Sequence, residues 1–388
     1  MARAISPVRR LWCAGLGLAA ILAVPAGQAR AAERTPPAER AAMGEPVNLY
    51  AGNVNVYTTQ GDGEIHAWHA KGQVWLMAGE PRESNVAVQV GDEGVLVVDT
   101  GTQAMAPKLL AAIQRLAREH AGDQKAIRLV VDTNGLPDHI GGNAIIREGG
   151  SEIVAGEEAA QQEALGTAGA EVLAEQNVLT RLSQGSPGGA YSQALWPTDA
   201  EDFDVYNSYF NGEAVQLYHP HDANTDGQLA VQFRQSDVIA AGDVVDMTSY
   251  PIIDTTRGGT IDGELVALNK LMEMAVPARQ VEGGTVIIPG HGRLCDVSDV
   301  AQYTIMVTTI RDRVQFYKNQ GKTLQQVLEL KPSGDYDQRW GSANASWSAR
   351  DFVMAVYQTL PAKGPIYFEM HTSTSVPRTG SASGNKLF

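Results

Sequence analysis

The chain carries two cysteines in 388 residues, and one of them, Cys13, lies inside the amino-terminal apolar run. Cys295 is then alone downstream, so an internal disulfide is excluded and stability must come from a buried core. Positive charge is also scarce: 30 lysines and arginines face 44 acids, for a formal charge of −14. No lysine or arginine cluster supplies the basic surface that a nucleic-acid partner needs, and the acid excess reads as a solvated surface that favours solubility. Neither a G-x-S-x-G elbow nor a phosphate-cradling loop occurs, which removes the common serine-nucleophile and nucleotide signatures.

What is present begins with an export signal over residues 1–31. Arg3, Arg9 and Arg10 precede the apolar run from Leu11 to Val24, and Ala29-Arg30-Ala31 offers a small-residue cleavage site. That run is too short to span a bilayer permanently, so no stable membrane anchor is expected after cleavage. The signal holds four arginines and no acids, so the mature chain stands near −18, periplasmic or secreted. About 357 residues remain, enough for one large core or two modest ones.

Residues 32–45 read as a flexible lead-in rich in Ala, Glu, Arg and Pro. Short runs of strand character follow: N-V-N-V-Y-T-T, Q-V-W-L-M, V-A-V-Q-V and G-V-L-V-V-D-T-G, separated by turn residues. Met105, Leu109, Leu110, Ile113 and Leu116 recur at helical spacing, and I-R-L-V-V-D-T reads as a buried strand after them. The second half repeats this grammar with A-V-Q-L-Y, L-A-V-Q-F, D-V-I-A-A-G-D and T-V-I-I-P-G-H-G, and with a helix over residues 261–275. Beyond His291 the pattern turns helical at 300–319, 323–330 and 348–360, the last opened by a Ser348-x-x-Asp351 capping pattern. The expected organisation is therefore an α/β body over 46–297, a helical C-terminal extension over 298–361 and a disordered tail over 362–388.

The chemistry concentrates in V-D-T-N-G-L-P-D-H-I-G-G-N, from Val131 to Asn143. This stretch resembles the H-x-H-x-D-H loop of the metallo-β-lactamase superfamily, with Asn134 and Leu136 standing where the family places its first two histidines. Asp138 and His139 remain. Asp99 in V-D-T-G is similar to the family's structural strand end, Asp243 in A-A-G-D to its bridging aspartate, and His291 in P-G-H-G to its last histidine. The family's A-H-T-x-G-D motif appears as A-N-T-D-G-Q, which puts Asn224 at the third histidine. The resemblance implies a four-layered αββα sandwich and a two-metal site of which one half is lost. Asn134, Leu136 and Asn224 cannot replace imidazoles around a transition metal, because leucine offers no lone pair and a carboxamide oxygen only a weak one. Asp138, His139, Asp243 and His291 still form a set for one divalent ion, zinc first, with iron or manganese as other choices.

Such an ion could lower the pKa of a bound water and set it against an electrophilic carbon or phosphorus. Four protein ligands crowd a tetrahedral ion, which a five-coordinate geometry or use of Asp138 as general base would relieve. Asn134 and Asn224 are then expected to orient water or substrate. Two functions follow: an exported hydrolase acting on an ester, lactam, thioester or phosphoester, or a non-catalytic relative that binds a small ligand or envelope partner in the same cleft. Among the remaining histidines, His219 or His221 could swing toward Asn224 and replace a lost ligand, whereas His66 and His69 read as a solvated pair in a strand or turn. Cys295 reads as a small buried residue.

Overall fold

The computed structural model of the protein describes residues 63–79, 83–122, 125–151, 169–185, 191–280, 283–341 and 347–367. The expected signal, the lead-in, the N-V-N-V-Y-T-T strand and the tail from 368 onward lie outside these residues. Among the described residues, seven strands form one sheet in sequential order: β1 (His66–Lys71), β2 (Val74–Ala78), β3 (Val86–Gly91), β4 (Gly94–Val98), β5 (Ile127–Val131), β6 (Glu171–Glu175) and β7 (Asp199–Glu201). The first four are an antiparallel meander, and from β4 onward the neighbours run parallel. A second sheet has the order β12 (Val286–His291), β11 (Val238–Asp246), β10 (Ala230–Phe233), β9 (Glu213–Tyr218), β8 (Val205–Phe210), with only β11 and β12 parallel.

The layering follows from the two-residue period of a strand. In β4, Val95 and Val97 face a cluster containing Leu109, Ile113 and Leu116 of helix α1 (Ala106–Ala121). Leu96 and Val98 face the opposite way, into a cluster with Leu217, Val231, Phe233 and Ile288 of the second sheet. A strand sandwiched on both sides needs an unbroken apolar run, and G-V-L-V-V supplies one. The same alternation in β11 sends Val238 and Ala240 to the inter-sheet core and Ile239 and Ala241 to the outer helices. Each of the valine, leucine and isoleucine side chains among them contributes about 1.5–3 kcal/mol on full burial. Helix, sheet, sheet, helices: the αββα arrangement expected from the sequence is the one observed.

The outer helical layer combines α5 (Ile261–Met274) with the C-terminal helices α6 (Val297–Asn319), α7 (Leu324–Glu329), α8 (Asp337–Trp340) and α9 (Ala349–Thr359), numbered after three short helices described below. Capping boxes start α6 at Asp296/Asp299, α7 at Thr323/Gln326 and α9 at Ser348/Asp351, the last as its sequence pattern requires. This extension grips the segment after β11. The Tyr250 hydroxyl donates to Asp337 at 2.9 Å, Trp347 Nε1 donates to Pro251 O at 3.1 Å, and the Tyr303 hydroxyl to Ser249 O at 3.1 Å. Residues 362–367, which composition assigned to the disordered tail, are anchored: Arg311 donates to Pro365 O at 2.7 Å and the Tyr367 N–H to Asp312 at 2.8 Å. Arg311 is buried, and Pro365 O, Asp312 Oδ1 at 2.8 Å and Asp262 Oδ1 at 3.2 Å satisfy a guanidinium that could not otherwise leave water.

Candidate metal centre

The site lies where the parallel strands end. β5 runs out at Val131, and the chain turns through Asn134 and Leu136 into the short helix α2 (Pro137–Ile140), with α3 (Asn143–Glu148) after it. Pro137 at the first helical position needs no N–H partner and sets the helical φ. The turn delivers Asp138 at the mouth and His139 inward. In β11, Gly242 adopts φ 52° just before Asp243, and β12 ends at His291. Gly290 matters for a different reason: a Cβ there would overlap Asp243 Oδ1 and press on the Gly242 carbonyl. The P-G-H-G sequence thus keeps space for a neighbouring carboxylate.

The donor atoms of Asp138, His139 and His291 lie within 4.8 Å of one another. Asp243 Oδ1 joins them, 3.1 Å from His139 Nε2 and 3.5 Å from His291 Nε2, while Asp138 Oδ2 is 3.4 Å from the latter. Asp138, His139 and His291 thus gather around one point, and Asp243 lies against the two imidazoles. His139 Nε2 and Asp243 Oδ1 are buried and form no hydrogen bond of proper geometry. A convergent set of two imidazoles and two carboxylates with orphaned lone-pair atoms fits a divalent cation. The other ring nitrogen of His139, Nδ1, lies 2.8 Å from Asp99 Oδ2, and Asp99 also accepts the Thr133 N–H at 2.7 Å and the Thr133 hydroxyl at 2.8 Å. A carboxylate on Nδ1 fixes the tautomer that leaves Nε2 free as a ligand.

The electrostatics agree. Burial disfavours charge on His139, yet Asp243, Asp99 and Asp138 together push its pKa well above the ordinary imidazole value. Burial likewise opposes charge on His291, but its bond to Asp138 and the charges of Asp243 and Asp246 push it up to about 9. Burial raises Asp138, and the two imidazoles outweigh it and hold that carboxyl below its usual range. Carboxylates this concentrated favour positive charge at the two imidazoles, a setting in which a bound cation would compete with protons.

Asn134 and Asn224 are fully buried, and both direct their amide nitrogens at Asp243 Oδ2, at 3.2 and 3.4 Å. The water- or substrate-orienting role expected of them would thus be exercised, if at all, from buried amides that face Asp243. Neither His219 nor His221 swings toward Asn224. His219 lies between the carbonyls of Phe203 and Asp226, at 3.2 and 3.0 Å, and His221 contacts Asp204 at 2.7 Å. Cys295 is buried in an antiparallel bridge with Ile287, and burial pushes its thiol up. His66 and His69 lie on strand β1, with a ring nitrogen of His69 2.9 Å from Gly72 O.

Several residues of the site went unnoticed in the sequence. Gln228, fully buried, stands at the last position of A-N-T-D-G-Q, and that departure from an acid was its one signal. Asn85 clamps the P-G-H-G loop by donating from Nδ2 to the carbonyls of Pro289 and Gly292, both at 2.8 Å. Nothing in the run S-N before β3 foretold it. Glu264 on α5 is buried with neither carboxyl oxygen hydrogen-bonded, and burial, helped by the charge of Asp243, pushes its pKa well up.

A family model described as the metallo-beta-lactamase superfamily matches residues 79–291, more than half of the chain. A comparison with curated proteins gives no match. Among solved structures, the chain is similar to a metallo-beta-lactamase from Pontibacter korlensis, at 16% identity over 63% of this chain and 99% of that one, TM-score 0.44. It is also similar to the inverting sec-alkylsulfatase Pisa1 from Pseudomonas sp., at 16% identity and TM-score 0.51, covering 76% of this chain and 50% of the sulfatase. The present chain thus spans half of that enzyme's length.

Proposed function

The chain belongs to the metallo-beta-lactamase superfamily, and from that premise we propose that it is an exported hydrolase built around one divalent metal ion. The observation that carries the reading is the gathering of Asp138, His139 and His291 around one point, with Asp243 Oδ1 against both imidazoles and with His139 Nε2 and Asp243 Oδ1 buried without a hydrogen bond of proper geometry. When bound, the ion would supply Lewis-acid activation of water at neutral pH. His139, His291 and Asp243, the more buried members, would hold it. Asp138 has a 36% exposed side chain, against 0, 4 and 11% for His139, Asp243 and His291, so it alone opens substantially to solvent. It would serve as the outer ligand or take the proton from an attacking water.

Zinc is the ion we propose, since two imidazoles and two carboxylates suit it, with iron or manganese as competitors. The substrate is a small molecule with an electrophilic centre: an ester, lactam, thioester or phosphoester. Export rests on the amino-terminal Arg-flanked apolar run and on Ala29-Arg30-Ala31. The test is the metal content of the mature protein beside Asp138→Ala and His291→Ala. About one ion per chain, lost in His291→Ala and weakened in Asp138→Ala, together with turnover in a panel of lactams, lactones, thioesters, phosphodiesters and alkyl sulfates, is the expected result.

One observation favours a second reading, a non-catalytic binder of a small ligand or envelope partner: the first ligand position is closed by amides rather than left for a catalytic ion. Stoichiometric metal with no turnover of any panel member would decide for that reading. Absence of bound metal in every preparation would overturn the one-ion centre itself.

A further inference from the structure

We propose that Asn134, Asn224 and Gln228 form a carboxamide cradle that stands in for a cation, saturating one oxygen of Asp243, reserving the other for the remaining ion and excluding a second metal. The metal half of this inference rests on the one-ion reading above; the cradle itself rests on hydrogen bonds alone.

The orientation of each amide is fixed by what its oxygen does. Asn134 Oδ1 accepts the Leu136 N–H at 2.9 Å, and Asn224 Oδ1 accepts the Thr225 N–H at 2.9 Å. Each NH2 must then point the other way, and both point at Asp243 Oδ2, at 3.2 and 3.4 Å. Gln228 is oriented by the same logic: its Nε2 donates to Leu229 O at 2.7 Å, which leaves Oε1 to accept from Asn134 Nδ2 at 3.4 Å. All three side chains are fully buried. The Asp243 carboxylate is consequently divided, Oδ2 facing two amide donors and Oδ1 facing the imidazoles of His139 and His291 without a hydrogen bond.

A buried carboxylate oxygen needs positive charge or donors, and here donors occupy the position. The same N–H groups turn their positive ends toward any second cation. With Oδ2 already accepting from these donors, a second cation would find no imidazole beside it, since Asn134, Leu136 and Asn224 stand where the sequence pattern would place histidines. These residues are positioning residues: they touch no reacting atom and act through Asp243.

The experiment titrates Zn²⁺ against a chromophoric chelator and measures ion stoichiometry in excess metal. Wild type should saturate at one ion, and Asn134→Leu and Asn224→Leu should each weaken that ion by about 10–100-fold, as loss of a ligand's hydrogen-bond partner does. The isosteric Asn134→Asp and Asn224→Asp swap a donor for an acid. They carry the test if the leucine variants do not fold, and should admit a second ion. A purely structural role would lower thermal stability and leave the Zn²⁺ Kd unmoved; that outcome, or two ions in wild type, overturns the proposal. A metal-free arm separates the two readings. The side-chain NH2 signals of Asn134 and Asn224 in ¹⁵N NMR of the apoprotein, assigned by their loss in the variants, should both shift in Asp243→Ala. If wild type binds no metal yet these signals move, the one-ion reading fails and the cradle stands; signals that do not move overturn the cradle.

Discussion

Asp99 offers the sharpest test of how the centre is held. It sits at φ 64°, a backbone region that only Gly, Asn and Asp enter readily, and it is buried to 2% exposure. Its carboxylate faces three donors: the Thr133 N–H, the Thr133 hydroxyl and His139 Nδ1. Asp99→Ala strands all three and puts an alanine at positive φ. At about 1–3 kcal/mol for each abandoned buried group, less what relaxation recovers, the loss should be about 3–5 kcal/mol. Asp99→Asn is gentler and more informative. Its Oδ1 keeps the Thr133 N–H, the left-handed φ is tolerated, and the fold should lose only about 1–2 kcal/mol. The new NH2, however, meets His139 Nδ1 as a donor, so the ring must move its proton to Nε2 and withdraw the lone pair from Asp243's side. Metal affinity should fall about 10–100-fold with the fold intact. Urea unfolding and Zn²⁺ competition titration measure the two effects separately. If Asp99→Asn binds zinc as tightly as wild type, the tautomer argument is wrong.

Two further outcomes follow from other parts of the structure. Gly290→Ala places a methyl group on Asp243 Oδ1, and should weaken metal binding at least about 10-fold while leaving far-UV circular dichroism unchanged; unaltered affinity would mean that β12 does not sit against Asp243 as described. Glu175 is held up to about 7 from the usual 4.5 by burial, with Asp202 and Asp226 adding to it, while its side chain accepts the Asn177 N–H at the start of helix α4 (Gln176–Gln184). Ionising it costs more in the folded state, so its contribution is fully present below pH 4.5 and is lost as pH rises through about 7. Glu175→Gln keeps the acceptor and removes the titration, and its urea midpoint should gain on wild type between pH 5 and pH 8; an identical difference at both values would refute the assignment.

The four candidate ligands were legible because each stands in a short local motif, Asp138 and His139 in L-P-D-H, Asp243 in A-A-G-D and His291 in P-G-H-G, which resembles a family motif and needs no knowledge of the partner strands. The same locality concealed other parts. β6 and α4 follow a stretch of small and polar residues with weak periodicity, and β8 alternates exposed and half-buried side chains at a sheet edge, so none announced itself. Asn85 lies more than 200 positions from the loop it clamps, and no pattern along the chain encodes such a pairing.

By itself the sequence determined the layered α/β fold, the capping of α9 and the loss of the first histidine set, since hydrophobic period, cap chemistry and ligand identity are all properties of neighbouring residues. Only the tertiary structure decided what that loss became. Asn134 and Asn224, which read as groups waiting for a substrate, are turned inward onto Asp243, because a buried carboxylate must find donors and the fold brings these two within reach. Direction of a side chain is set by its three-dimensional neighbours, and for a carboxamide, donor at one end and acceptor at the other, that direction decides its chemistry.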